Sequence, residues 1–485
     1  MTSPDFKRTY RVAATLIAGA FPYLGSIASL QAKPDGKVEA KPVTTSYPLG
    51  EHPTSFQPTK EYDLPQLIEL SLANNPYTRS AWFNALASSA AVGQAKAPYF
   101  PKVSFKAAGG YDSGYAPVQD GPINYKRTGL NPTFNLEYIL LDFGRRSADV
   151  RNTVALLQAA NLEFSRKVQT TVYAVQQSYF AHNASLIQRD ASAANLELSK
   201  TILAMVEDQK KVGLATQPDL LVAQKTLTQA QFDVADAERN VLVTLGNLRA
   251  SAGLDANAPL KVGPPTAMPS IEPIYGKVDE LIDTAIAHRP DLAAKVADVR
   301  ARRASTERAV ADFMPTVSLE GSYLNHTYNY TARQGTNSGT FDGNQNYPSG
   351  FVVMSWDLFD GFERVEKVKK RQAEEAKARA DAESARIETT QDVWTDYNNS
   401  LKARKRVEYA TSLLASAKEN FDSMQAAFQN GLATITELVS LQSALATARF
   451  EQAGAQADYL TSLASLSLAI GQVTPSSARS TPSAN

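Results

Sequence analysis

The sequence predicts a mainly α-helical protein with a smaller β portion, built as two copies of one plan. Three observations carry this prediction. At an offset of 218 residues Gly213 falls on Gly431, and KVGLATQPDLL (Lys211–Leu221) matches QNGLATITELV (Gln429–Val439). Two stretches, Gly144–Lys211 and Gly361–Asn430, contain no proline and show apolar residues stepping by three and four. Around residues 102–141 and 316–359, apolar and polar residues alternate with period two.

Bulk properties narrow the function classes. A chain of 485 residues exceeds one compact core unless the fold is elongated or repetitive. Lys+Arg and Asp+Glu both number 49, so no basic footprint for nucleic acid exists. Cysteine is absent, which removes disulfides, thiolate metal sites, cysteine nucleophiles and lipidation at an N-terminal Cys. The four histidines (His52, His182, His288, His326) match no metal spacing. No nucleophile–base arrangement or phosphate loop is present. The expectation is a protein that is not an enzyme, with no catalytic residue, cofactor or metal.

Taken in order, residues 1–32 read as a signal peptide. Lys7, Arg8 and Arg11 precede an apolar stretch from Val12 to about Leu30, with Ala28 or Ala32 as cleavage candidates. A membrane anchor is the alternative, but Gly19, Pro22 and Gly25 make it a poor spanning helix. Residues 33–60 and the tail 473–485 are polar and expected to lack regular structure. The first repeat spans 61–254, a Pro-rich linker 255–277, and the second repeat 278–472. Each repeat reads as two short helices, a strand pair and two long helices. Short helices are expected near Leu64–Asn74 and Tyr77–Lys96, parted by Pro76 as Pro290 parts their counterparts.

In the strands, Phe134, Leu136, Tyr138 and Leu140 share a face, as do Val352, Met354, Trp356 and Leu358. Tyr111, Tyr115, Tyr125, Tyr323, Tyr328, Tyr330 and Tyr347 are expected in the connections, and a Gly/Asn/Tyr-rich segment before Asp360 reads as a loop four residues longer than its counterpart. The alternation suits either a soluble sheet packed on a helix or part of a membrane barrel with an aromatic girdle. Four strands cannot enclose a channel, so several chains would have to contribute.

Each proline-free stretch would reach about 100 Å as one helix, a length that suggests a coiled coil. Its seam reads Val407, Ala410, Leu414, Ala417, Phe421, Met424, Phe428, and the returning helices carry Leu220–Ala223–Leu227–Ala230 and Leu438–Leu441–Leu445–Ala448. The charged run Arg364–Arg386 is expected to form solvated faces with i,i+4 pairs. The repeated turn joins the long helices. Gly213 and Gly431 suit the left-handed residue that ends a helix, and Thr216 and Thr434 suit the next N-cap. Asp219 and Glu437 stand three residues on, at the positive end of the helix dipole.

Together these features resemble the TolC-like outer-membrane efflux protein family, over roughly residues 61–472. The resemblance rests on the tandem repeat, the paired Gly-x-x-Thr-x-x-acid-Leu tips, the junctions LLDFG (Leu140–Gly144) and LFDG (Leu358–Gly361), and LANNP (Leu72–Pro76). It implies a homotrimer with a twelve-stranded outer-membrane β-barrel, continued by a long periplasmic α-helical coiled-coil barrel and belted by the short helices and the linker. It implies docking of a periplasmic adaptor and an inner-membrane pump at the tips, through Gly213, Leu214, Thr216, Gly431, Leu432 and Thr434. It implies a nearly closed entrance there, with Glu437 in an acidic ring and Asp219 nearby. Here the family's second acid is replaced by Ser440, and its closing Tyr and Arg by Phe428 and Ala433. The family setting is the outer membrane of a Gram-negative cell. The leading function is a passive exit duct for small toxic molecules. The alternatives are the outer-membrane component of type I protein secretion and a pore-free coiled-coil scaffold or adhesin.

Overall fold

The computed structural model describes residues 56–117, 119, 121–263 and 277–473. The signal segment 1–32, most of 33–60, the middle of the linker and the tail beyond Val473 lie outside the described residues. The first repeat opens with a short strand β1 (Glu61–Tyr62), then helices α1 (Leu64–Asn74) and α2 (Pro76–Lys96). Strands β2 (Lys102–Ala116) and β3 (Ile123–Leu141) follow, then helices α3 (Arg145–Lys211) and α4 (Gln217–Ser251). After β4 (Lys261–Val262), the second repeat runs α5 (Val278–His288), α6 (Pro290–Ala311), β5 (Thr316–Gln334), β6 (Asn337–Ser355), α7 (Glu363–Gln429) and α8 (Ile435–Ala469). Equivalent helices have equal lengths: α3 and α7 have 67 residues each, α4 and α8 have 35 each.

Local sequence explains the boundaries. Asp63 and Gln66 close a capping box at α1. Asn75 ends α1 and caps α2 by accepting from the Tyr77 N–H, with Pro76 in the first turn where its missing N–H costs nothing. The last turns of α4 and α8 end on Gly253 (φ 76°) and Gly471 (φ 75°). A Cβ on Gly253 would stand 3.0 Å from the Asn75 backbone, and one on Gly471 3.0 Å from the His288 carbonyl oxygen. Glycine therefore lets each long hairpin dock on the joint between its two short helices.

At about 1.5 Å per residue, α3 and α7 are each about 100 Å long. Helix α4 returns along the tip-side part of α3, and α2 lies against its other end; α8 and α6 do the same for α7. Alanine dominates the seams, with Ala223, Ala230 and Ala237 of α4 and Ala294, Ala297, Ala301 and Ala304 of α6 buried. Small side chains let α3 touch helices of both repeats. Of the charged run, Lys377–Asp381 and Arg379–Glu375 form the expected surface pairs. Arg364 also pairs at i,i+4, with Asp360, but half-buried at the strand junction, and Lys367 reaches Asp312 at the end of α6 instead.

The four long strands form one antiparallel sheet in the order β2-β3-β5-β6. Its apolar face is bare: Val352 is 68% and Phe105 58% exposed, and no helix among the described residues covers them. The soluble sheet packed on a helix is thereby ruled out. Two expectations need correction. The Gly/Asn/Tyr-rich segment is strand, not loop, because it pairs throughout, from Thr316↔Ser355 to Gln334↔Asn337. Its tyrosines, and Tyr111, Tyr115 and Tyr125 of the first hairpin, lie within strands, where alternation lets aromatics pack across neighbours. Trp356 and Leu358 fall outside β6. Its partner β5 begins opposite Ser355, so no ladder continues, and the Trp356 indole donates to the Phe313 carbonyl at 3.0 Å instead. The linker carries a strand the sequence did not suggest: β4 pairs in parallel with β1.

A clasp joins strand to helix in each repeat. Asp142 accepts from the backbone N–H and Nε of Arg146 (2.9 and 2.8 Å), and Asp360 from those of Arg364 (3.1 and 2.5 Å). Each guanidinium also covers an aromatic ring, Tyr99 at 4.7 Å and Phe313 at 5.3 Å. Both junctions turn through left-handed residues, Phe143–Gly144 and Gly361–Phe362. The two repeats are tied together at Asp312, which binds Arg145 at 2.9 Å and Lys367 at 2.6 Å.

Candidate functional site

The tips where α3 meets α4 and α7 meets α8 are built alike. Helix α3 ends in a Schellman motif: the Gly213 N–H donates to the Lys210 carbonyl (3.0 Å) and the Leu214 N–H to the Gln209 carbonyl (2.8 Å). In the second tip, the Gly431 N–H donates to Phe428 (3.0 Å) and the Leu432 N–H to Ala427 (2.9 Å). Both glycines are left-handed, at φ 81° and 74°, and a Cβ on either would meet nothing within 4 Å. The demand for glycine here is purely conformational.

Threonine then starts the next helix. Glu437 Oε2 accepts from the Thr434 N–H (2.8 Å) and hydroxyl (2.9 Å), while Thr434 Oγ1 accepts from the Glu437 N–H (3.3 Å). Asp219 and Thr216 repeat the arrangement, with Asp219 Oδ2 accepting at 2.6 and 2.8 Å. The N–H and hydroxyl of Thr434 hold the Glu437 carboxyl below the usual carboxylate range. The hydroxyl and N–H of Thr216 do the same for Asp219. Both acids therefore stay ionised well below neutral pH.

The structure sorts the named residues into two groups. Glu437, Ser440, Thr216, Thr434, Gly213 and Gly431 are exposed and Asp219 is half-buried. Leu214 and Leu432 project from the turns, 79% and 82% exposed. Phe428 is buried instead, within an apolar cluster that also holds Ile202, Val206, Phe421, Ile435 and Leu438. Ala215 of one turn and Ala433 of the other pack on the same cluster. The two tips are thus seated side by side over one core.

One contact went unrecognised in the sequence. Gln442 of α8 is buried and donates to Asn195 Oδ1 (2.9 Å) and Ser199 Oγ (2.6 Å) of α3. It links the second hairpin to the first one turn above Leu438. Gln224, its counterpart at the same offset, is exposed, so the repeat itself gives no signal for the contact.

Comparison with known proteins places this architecture. The model of the outer membrane efflux protein family matches residues 67–254 and again 281–472. Protein CyaE of Bordetella pertussis is 26% identical over 386 residues, which cover 79% of this chain and 78% of that protein. The toluene efflux pump outer membrane protein TtgI of Pseudomonas putida is 25% identical over 309 residues, covering 60% of this chain and 64% of the relative. The CmeC outer membrane channel of Campylobacter jejuni shares the fold, with a TM-score of 0.71 at 16% identity over 86% of this chain and 88% of that one. With both halves matched in turn, this chain belongs to the outer membrane efflux protein family.

Proposed function

We propose that three copies of this chain form an outer-membrane exit duct, open through a twelve-stranded barrel and loaded at its periplasmic tips by an adaptor and an inner-membrane pump. Family membership assigns an outer-membrane export channel; the trimer, the docking residues and the cargo are the finer reading. The observation that carries it is the sheet. Strands β2 and β6 leave two unpaired edges of 15 and 19 residues, a combination that invites further strands. Edges abolished by neighbouring copies, with the bare apolar face toward lipid, satisfy both the backbone and the side chains.

At the other end, the exposed Leu214 and Leu432 offer apolar knobs to an adaptor hairpin. Glu437, ionised and exposed, supplies three negative charges to a ring if three copies converge, which favours cations at the entrance. Small toxic molecules are the proposed cargo; the toluene-efflux name of TtgI supports this class. The test is dye and antibiotic accumulation in a strain lacking this chain, with and without re-expression. Accumulation that rises and is reversed supports the reading. Unchanged accumulation with a loss of secreted proteins would replace small-molecule export by protein secretion.

A further inference from the structure

We propose that the outer ends of the strands form an aromatic collar inside the channel mouth, which binds aromatic and apolar-cation cargo on its way out. The inference rests on the barrel reading above and names the chemistry of that channel's exit.

The polarity of the sheet reverses along its length. Near the helices, one face carries Val103, Phe105, Phe134, Leu136, Leu319 and Met354, and the other carries Lys102, Ser104, Asn135, Glu137, Glu320 and Ser349. Ile139, Leu324, Phe351 and Val353 are the apolar exceptions on that second face. The first face suits lipid and the second a water-filled lumen. Toward the hairpin ends the register continues without a slip, so each face keeps its side. Yet on β5 and β6 the lipid-side face now carries a polar ladder, while on β2 and β3 it keeps Tyr111, Tyr115 and Leu130. Asn325 donates to Asn344 and Asn346 (2.7 Å each), and Asn329 to Asp342 (2.6 Å). Amides and a carboxylate in such numbers do not sit in hydrocarbon. This part of the sheet therefore stands beyond the lipid, with its polar side outward.

The lumen-side face at the same level is aromatic. Tyr125 stacks on Tyr330 with centroids 5.8 Å apart, Tyr330 meets Phe341 at 6.4 Å, and His326 meets Tyr328 edge-on at 4.9 Å. Glycines on neighbouring strands make room for these rings. A Cβ on Gly343 would fall 2.3 Å from the Tyr328 ring, and one on Gly114 3.0 Å from the Tyr125 hydroxyl. Near these rings the face's Arg127 and Asp112 neutralise each other at 3.0 Å. The collar thus presents π faces with no net charge. That chemistry attracts aromatic rings and organic cations and gives nothing to phosphates or other anions.

Purified full-length trimers in planar bilayers test this, with ethidium added on the hairpin side. The wild-type current should show ethidium block events. In Tyr330→Ala/Phe341→Ala channels the dwell time should shorten roughly thirtyfold, from about 1 kcal/mol for each of the two lost rings. Phe341 is 59% exposed, so Phe341→Ala alone leaves the fold intact and should shorten it about threefold to fivefold. Unchanged block in Phe341→Ala channels of normal conductance would overturn the collar while leaving the conduit standing. Absence of any conductance in folded wild-type trimers would overturn the conduit itself.

Discussion

Acidification should loosen the first long hairpin through one side chain, His182. The imidazole is 3% exposed inside the α3–α4 packing, with Nδ1 3.2 Å from Thr244 Oγ1. Burial, with Arg249 and Arg189 adding positive potential, lowers its pKa from 6.5 to about 4. The neutral form is therefore the one that fits. A base whose folded pKa lies below its unfolded value stabilises fully above pH 6.5 and loses that contribution as pH falls toward 4. Linkage between those two values puts the loss near 2.5 kcal/mol at pH 4.5, or about 70-fold in the opening equilibrium. The position at the same offset in α7 is Ser400, buried and without a titrating group, so this histidine effect is confined to the first hairpin. The assay is hydrogen–deuterium exchange of peptides covering Val175–Arg189 at pH 7 and 4.5, corrected for intrinsic rates. Wild type should lose about 70-fold more protection on acidification than His182→Gln, whose amide stays neutral and can still bond Thr244. Equal losses in the two proteins would refute the reasoning.

Further outcomes follow from the same geometry. Gly431→Val should prevent adaptor crosslinking while trimers persist, and Gly431→Asn should restore it, since Asn tolerates the left-handed conformation. Glu437→Gln keeps the capping geometry but removes the charge, so the reversal potential across a salt gradient should shift toward weaker cation preference; no shift would place Glu437 away from the constriction. Gly213→Ala should cost about 1–2 kcal/mol, the strain of its backbone alone, whereas Gly253→Ala should cost clearly more because its Cβ also strikes the Asn75 backbone; thermal unfolding ranks them. Arg146→Ala leaves the Asp142 carboxylate buried without its ion pair, and about 3–5 kcal/mol should be lost in the same assay.

The sequence alone determined what depends on neighbours along the chain. The helix caps at Thr216 and Thr434, the left-handed glycines and the period of strand and helix are local events, set within a turn or a strand. The tandem repeat then doubled each signal, so the order of elements was legible throughout. Tertiary structure decided whatever depends on which surfaces meet. Phe428 reads as a candidate closing residue, but four helices converge on it and bury it. Gln442 becomes a cross-hairpin link only because α8 lies against α3, and its repeat partner Gln224 has no such neighbour. Trp356 leaves the strand because its partner β5 begins opposite Ser355, so no ladder reaches it. The tyrosines that look like loop residues are strand residues, because hairpin pairing runs to the two-residue turn at Gly335 and Thr336. Which side each takes, with Tyr125, Tyr328, Tyr330 and Tyr347 opposite the ladder of asparagines and Tyr111, Tyr115 and Tyr323 on its side, emerges from a register between distant strands. No local pattern carries that register, since β3 and β5 pair residues up to 209 positions apart, from Asn124 to Arg333.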